Sequence, residues 1–200
     1  MRLSKLFVAT TIVAVVALVV MGGPSLAKEK DKDAQPPKDE RWSAWVVSTD
    51  GPTGGQTGRL YVTVESWSTP EERAALFGAL KTGGQKELKK VLDKMQKGWM
   101  KFATTLRWTV NHAATFDTPK GRVVRLLTIR PIFFVETETS AITMEYEFGA
   151  VELLLDEQGN GEGVLIPAAK IKFNEEGKLE IETPPRDITP VKLNKVRKEN

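Results

Sequence analysis

The chain has 200 residues, with 29 Lys or Arg, 26 Asp or Glu, one His and no Cys. The missing thiols exclude disulfides, thiol catalysis, thiolate metal sites and a lipoprotein anchor. A single His speaks against zinc, which draws on several Cys or His ligands, and no metal or cofactor is expected.

Met1 to Ala27 has the three-part layout of a secretory signal. Arg2 and Lys5 give a positive start, Leu6 to Met21 an uncharged apolar run, and Ser25-Leu26-Ala27 small residues where a peptidase reads. The run is short for a membrane span, which needs roughly 20 apolar residues. The expectation is a cleaved signal and export to the periplasm or the exterior, with an uncleaved anchor as the alternative. The remainder keeps 27 basic against 26 acidic residues, a charge of +1. So small a net charge gives no long-range pull toward nucleic acid or anionic lipid, and no nucleic-acid partner is expected.

Residues 28–41 (KEKDKDAQPPKDER) are charged and Pro-containing, with no bulky side chain to bury, and read as a disordered linker. A single α+β domain is expected over residues 42–200. Trp42 to Val47 is a strand candidate. Ser48 to Gly58 is a Gly-rich loop whose Gly54-Gly55 lacks the spacing of a phosphate loop. Arg59 to Trp67 alternates, with Leu60, Val62 and Val64 on one face and Tyr61, Thr63 and Glu65 on the other.

Thr69-Pro70-Glu71-Glu72 is a helix start with a capping box. The spacing predicts a helix ending at Gly83-Gly84 and a second over Gln85 to Lys97, stopped by Gly98. Leu88, Val91, Leu92 and Met95 form its apolar stripe. Lys86, Lys89 and Lys90 lie on its basic face, a candidate surface for an acidic partner, although a solvated face is the simpler reading.

Beyond Trp99 only strands and turns follow. Leu106, Trp108, Val110, His112, Ala114 and Phe116 alternate onto one face. Arg122 to Ile129 is apolar on both faces and reads as a central strand. Ile132 to Val135 is a further short strand. Ile142, Met144, Tyr146 and Phe148 alternate, and the apolar phase then switches at Gly149, as at a β-bulge. Asp156 to Gly163 is a turn. Val164 to Phe173 carries Pro167, which marks an edge or a bulge. Across a turn at 174–177, Lys170 and Lys172 face Glu180 and Glu182. Ile188 to Val196 reads as a Lys-rich edge strand. The fold class expected is α+β, a curved antiparallel sheet of seven or eight strands with one helical hairpin after the second strand.

Little chemistry is legible. His112 shares its expected face with Trp108 and Val110 and reads as a packed histidine rather than a base. Thr139-Ser140 has no catalytic motif around it. Asp156, Gln158, Asn160 and Gly161 imitate a calcium loop, but its twelfth position is Pro167, where a bidentate Glu is needed. Glu136, Glu138, Glu145 and Glu147 read as solvated sheet surface rather than glycosidase carboxylates. The five Trp are dispersed, and most of them read as core.

The order strand, two helices, then antiparallel strands resembles the helix-grip, START-like lipid-binding domains. That resemblance implies an apolar ligand held against a long C-terminal helix. Here Pro184, Pro185 and Pro190 and a β-like tail stand where the helix would be. The stretches R-L-Y-V-T-V-E-S-W-S-T-P-E-E-R, L-L-L-D-E-Q-G-N-G-E-G and P-V-K-L-N-K-V-R-K-E resemble a group of uncharacterised exported proteins of the acidobacterial type, across most of residues 58–200. That resemblance implies no activity.

The functional expectation is a non-enzymatic extracytoplasmic or envelope-associated domain that binds a partner protein or a small apolar ligand. Trp108, His112, Leu126 and Tyr146 are the candidate ligand residues. Lys86, Lys89 and Lys90, with the loop at 48–58, are the candidate partner surface. A lipid carrier and an exported hydrolase are the alternatives.

Overall fold

A computed structural model describes residues 39–47, 57–103, 105–132, 145–173, 179–184 and 189–199. The signal-like stretch, most of the linker and most of the 48–58 loop lie outside these residues. So do Glu136, Glu138, Thr139-Ser140, Ile142, Met144, the 174–177 turn, and most of the expected strand from Ile132 to Val135.

Period-two alternation builds the first two strands. β1 (Glu40–Val47) puts Trp42, Ala44 and Val46 on the face that β2 (Thr57–Val64) fills with Leu60, Val62 and Val64, with Trp42 opposite Val62. Helix α1 (Pro70–Leu92) follows. Eight strands come next: β3 (Gly98–Phe102), β4 (Trp108–Val110), β5 (His112–Thr118), β6 (Gly121–Thr128), β7 (Phe148–Leu155), β8 (Gly161–Phe173), β9 (Leu179–Glu182) and β10 (Val191–Glu199).

All pairings are antiparallel, in the order β4-β3-β2-β1-β10-β8-β7-β6-β5, with β9 on β8. The two ends of this sheet, β4 and β5, are consecutive in the chain and separated by Asn111 alone. The sheet therefore returns on itself as a near-barrel. Its interior is filled by large side chains, among them Trp42, Trp108, Phe102, Met100, Leu126 and Ile132. A second core lies outside the sheet, where Leu76, Leu80, Leu88 and Leu92 of α1 cover Leu127, Phe148, Ala150, Ala169 and Ile171.

The sheet-rich α+β character is as expected, but the expected count and hairpin are not. Among the described residues there are ten strands, because β3 follows the helix and Asn111 splits the alternating run from Leu106 to Phe116 into β4 and β5. The expected helix pair is one continuous element in which two helical segments meet at a kink, with the break at Gly84, at the expected end of the first helix, but without a hairpin loop. A helical hairpin needs a loop of about two to five residues, whereas here Gly84 alone leaves helical geometry, at φ 63° and ψ −149°. The helix also stops at Leu92 rather than Lys97. Gly98, read as its stop, begins β3 with φ 147°, and a Cβ there would collide with the Thr63 carbonyl oxygen.

The capping box is present. Thr69 Oγ1 accepts from the Glu72 amide at 3.2 Å, and Glu72 Oε2 accepts from the Thr69 amide at 2.8 Å. Thr69→Ala is expected to cost about 1 kcal/mol, read as a lower urea midpoint at unchanged slope.

Asn111 joins three elements. Its Nδ2 donates to the Leu92 and Met95 carbonyls at 3.1 and 3.0 Å, satisfying groups at the end of α1. Its Oδ1 accepts from the Ile129 amide at 3.2 Å. The side chain is buried, so Asn111→Ala strands polar groups on both partners and is expected to cost about 2 kcal/mol. Denaturant unfolding of this variant beside Thr69→Ala checks the ranking.

Three local readings change meaning. The phase switch at Gly149 is not a bulge in β7. Phe148 and Ala150 face the helix-covered core while Val151, Leu153 and Leu155 face the interior, so the strand changes which side it fills. The register shift lies on β8, where Phe148 opposes Ala169 and Ala150 opposes Ile166, which leaves Pro167 within the bulge. β10 is no edge, since it pairs with both β1 and β8, and it stands where the START-like order would place a helix. On β9, Lys170 opposes Glu182 and Lys172 opposes Glu180 as expected; the ion pair forms diagonally, Lys172 Nζ to Glu182 Oε2 at 2.7 Å.

Candidate functional site

The four candidate ligand residues do not form one site. Trp108 and Leu126 belong to the interior core, with Trp108 Nε1 donating to the Pro131 carbonyl at 3.1 Å. Asn111 resets the alternation after Val110, so Ala113 rather than His112 faces inward. His112 instead opposes Leu127 of the helix-covered core and lies near Glu72 and Arg73 of α1, Lys97 and Arg125. Tyr146 donates to Glu182 Oε1 at 2.8 Å.

His112 is buried, and its Nδ1 has no hydrogen-bond partner. Burial, reinforced by the nearby Arg73 and Arg125 and opposed by Glu72, pushes its pKa down to about 4. The ring is neutral at pH 7. The Asp156 turn is closed by its own residues: Asp156 Oδ1 accepts from the Gln158 and Asn160 amides at 2.9 and 2.8 Å. That is the hydrogen bonding of an Asx turn.

Two of the candidate partner lysines are engaged locally. Lys89 Nζ lies 3.0 Å from Glu147 Oε1, and Lys90 Nζ lies 2.5 Å from Glu87 Oε1; Lys86 is exposed. On this side of the molecule some cations are met by carboxylates, while Lys81, Lys86 and Lys94 are exposed and form no ion pair among the described residues. Lys97 pairs with Glu72 at 2.7 Å and Arg125 with Glu152 at 2.7 Å.

The opposite side differs. Among the described residues no element packs over the outer faces of β10, β1, β2 and β3. Strand register lays their outward residues in three rows. Asn194, Trp45 and Arg59 form the first; Arg197, Ser43, Tyr61 and Lys101 the second; Glu199, Arg41, Thr63, Trp99 and Thr109 the third, so that one carboxylate stands among the cations. Rows stand about 7 Å apart, the rise of two strand residues. Each therefore combines an aromatic ring with at least one cation, and Arg107 extends the third row by lying 4.2 Å over Trp99.

Among the described residues no carboxylate pairs with Arg41, Lys101, Arg107, Lys195 or Arg197. Arg59 lies 3.9 Å from Glu199, whose carboxylate also takes the Ser43 hydroxyl. Trp45 is 47% exposed, unlike the buried Trp42 and Trp108. It borders a depression of about 720 Å³ that Thr57, Glu162, Asn194 and Lys195 also line. The depression sits at a β10 bulge, where three residues oppose two on both neighbours and Lys195 adopts φ 51°.

Sequence reasoning missed this face. Its signal was the outward phase of Arg59-Leu60-Tyr61 and of Trp99-Met100-Lys101. Without β3 and the pairing of β1 with β10, those phases could not be assembled into one surface. A charge near zero over the whole chain also gave no sign of a local group of cations. In physiological salt the field of a patch fades within about 8 Å, so local balance matters more than the total. No protein-family model, no curated protein and no solved structure matches this chain.

Proposed function

We propose that the protein is an exported, non-enzymatic binding domain that engages an envelope or extracytoplasmic partner through the outer face of β10, β1, β2 and β3. The signal-like pattern of residues 1–27 supports the export part of this reading. The observation that carries the binding part is the row of unpaired cations and half-open aromatics on the side α1 leaves bare. A packed interior favours an outer surface over an enclosed ligand: the depression at Trp45 opens outward, and Trp108 and Leu126 are tied into the core. Among the described residues, the carboxylates with displaced acidity are held low by cations, hydroxyls and backbone donors.

Co-sedimentation of residues 28–200 with envelope fractions tests the reading. Binding is expected, and is expected to drop at least tenfold in Arg41→Glu/Lys101→Glu/Arg197→Glu while Lys81→Glu/Lys86→Glu/Lys90→Glu on α1 retains it. Equal loss in both variants would mean that only net charge matters. A native mass spectrum showing a retained lipid would instead favour the apolar-ligand reading.

A further inference from the structure

From the same face, and resting on the reading above, we infer that the ligand is a linear acidic polysaccharide, one of whose rings stacks on Trp45 while its carboxylates lie along Arg41, Lys101 and Arg197. Charge complementarity chooses an anion: five cations on or beside this face have no acidic partner among the described residues. The spread of these cations over three rows suits an extended chain better than a single anionic group, because no one small ligand spans them.

The aromatic arrangement separates a sugar chain from a nucleic acid. Non-specific binding of single strands uses several open aromatic faces on which successive bases stack. Here Arg107 covers Trp99 at 4.2 Å and Arg59 lies over Tyr61 at 5.7 Å, so two of the three rings already have a cationic partner. Trp45 alone offers an open indole. One such ring suffices for the C–H face of a pyranose.

The surroundings of Trp45 point the same way. Thr57, Asn194, Lys195 and Glu162 supply both donors and acceptors, as sugar hydroxyls require. Glu162, paired with Lys192 at 3.4 Å, can accept from a sugar hydroxyl.

The test is affinity electrophoresis and calorimetry of residues 28–200 with alginate oligomers, beside single-stranded DNA, dextran sulfate and neutral dextran. Alginate is expected to bind, with an affinity that falls as salt rises, and neutral dextran is not. Lys101→Glu/Arg197→Glu is expected to weaken alginate at least tenfold. Trp45→Ala is expected to weaken it about fivefold while leaving dextran sulfate within twofold. Both variants sit on exposed or half-exposed positions, and matching thermal unfolding would show that they fold. Tighter binding of DNA than of alginate at equal charge would overturn the assignment in favour of nucleic acid. Equal alginate binding by Trp45→Ala would overturn it in favour of charge alone. Failure to bind alginate while envelope co-sedimentation persists would overturn the polysaccharide and leave the binding face standing; failure of both would overturn the two together.

Discussion

Glu40→Ala is expected to destabilise the protein by about 3 kcal/mol, near the lower end of what breaking a buried ion pair costs. Glu40 opens β1 at one end of the near-barrel, and its side chain is 2% exposed. Arg122 grips both of its oxygens, Nη1 to Oε1 at 2.9 Å and Nη2 to Oε2 at 2.5 Å, and Lys198 Nζ adds a third contact at 2.9 Å. Arg122 is itself fixed by Thr115 Oγ1 at 2.8 Å and by the Trp67 ring at 5.2 Å. Burial alone would raise the Glu40 carboxyl, but the hydrogen bonds and charges of Arg122 and Lys198 outweigh it and hold the group below its usual range. Removing the carboxylate leaves two cations facing each other. Both keep some contact with water, which is why the lower end of the range applies. Glu40→Leu/Arg122→Met should recover part of the loss, because a matched apolar pair leaves neither of the two buried partners charged and Lys198, 41% exposed, can turn to water. Chemical denaturation of the single and double variants measures both. A double variant as unstable as Glu40→Ala would show that the pair is not what matters there.

His112 is expected to make the fold acid-labile in a window of its own. The folded imidazole takes its proton only near pH 4, whereas an unfolded histidine does so near 6.5. Between these values the unfolded chain holds more protons, so stability falls as pH drops through the window. Below about pH 4 both states are protonated and this residue contributes no further loss. The difference corresponds to about 3 kcal/mol over the window. The lowered carboxyls of Glu40 and Glu72 act in the same direction but in a lower window: their contribution is present above the ordinary value of 4.5 and is lost as pH falls below it. The two groups of residues are therefore separable. His112→Phe should flatten the stability profile between pH 6.5 and 4 and leave the fall below 4.5 intact. A profile in His112→Phe as steep as in the parent would assign the acid sensitivity elsewhere.

Local signals in this chain are legible and assembly is not. Thr69 and Glu72 are three residues apart, so the capping box is visible in the letters. Leu60, Val62 and Val64 show their buried face by alternation, and Pro167 announces a defect in its strand. Asn111 shows why such reading fails at longer range. A polar residue inside an alternating run looks like one more outward position. Its amide instead ends α1, anchors Ile129 and shifts the alternation, so His112 exchanges the interior for the helix-covered side. Gly98 carries a signal that serves two structures, a helix stop and a strand start pressed against Thr63. The binding face was the hardest to see, because β1 and β10 come from opposite ends of the described chain and outward residues leave no apolar pattern.

Amide chemical-shift mapping during titration with alginate oligomers tests the outward-facing site most directly. Shifts are expected for the Trp45 indole and along Arg41–Val47, Arg59–Thr63, Trp99–Lys101 and Asn194–Arg197, with α1 unmoved. Shifts gathered on Lys86, Lys89 and Lys90 or on the interior around Trp108 and Leu126 would contradict it.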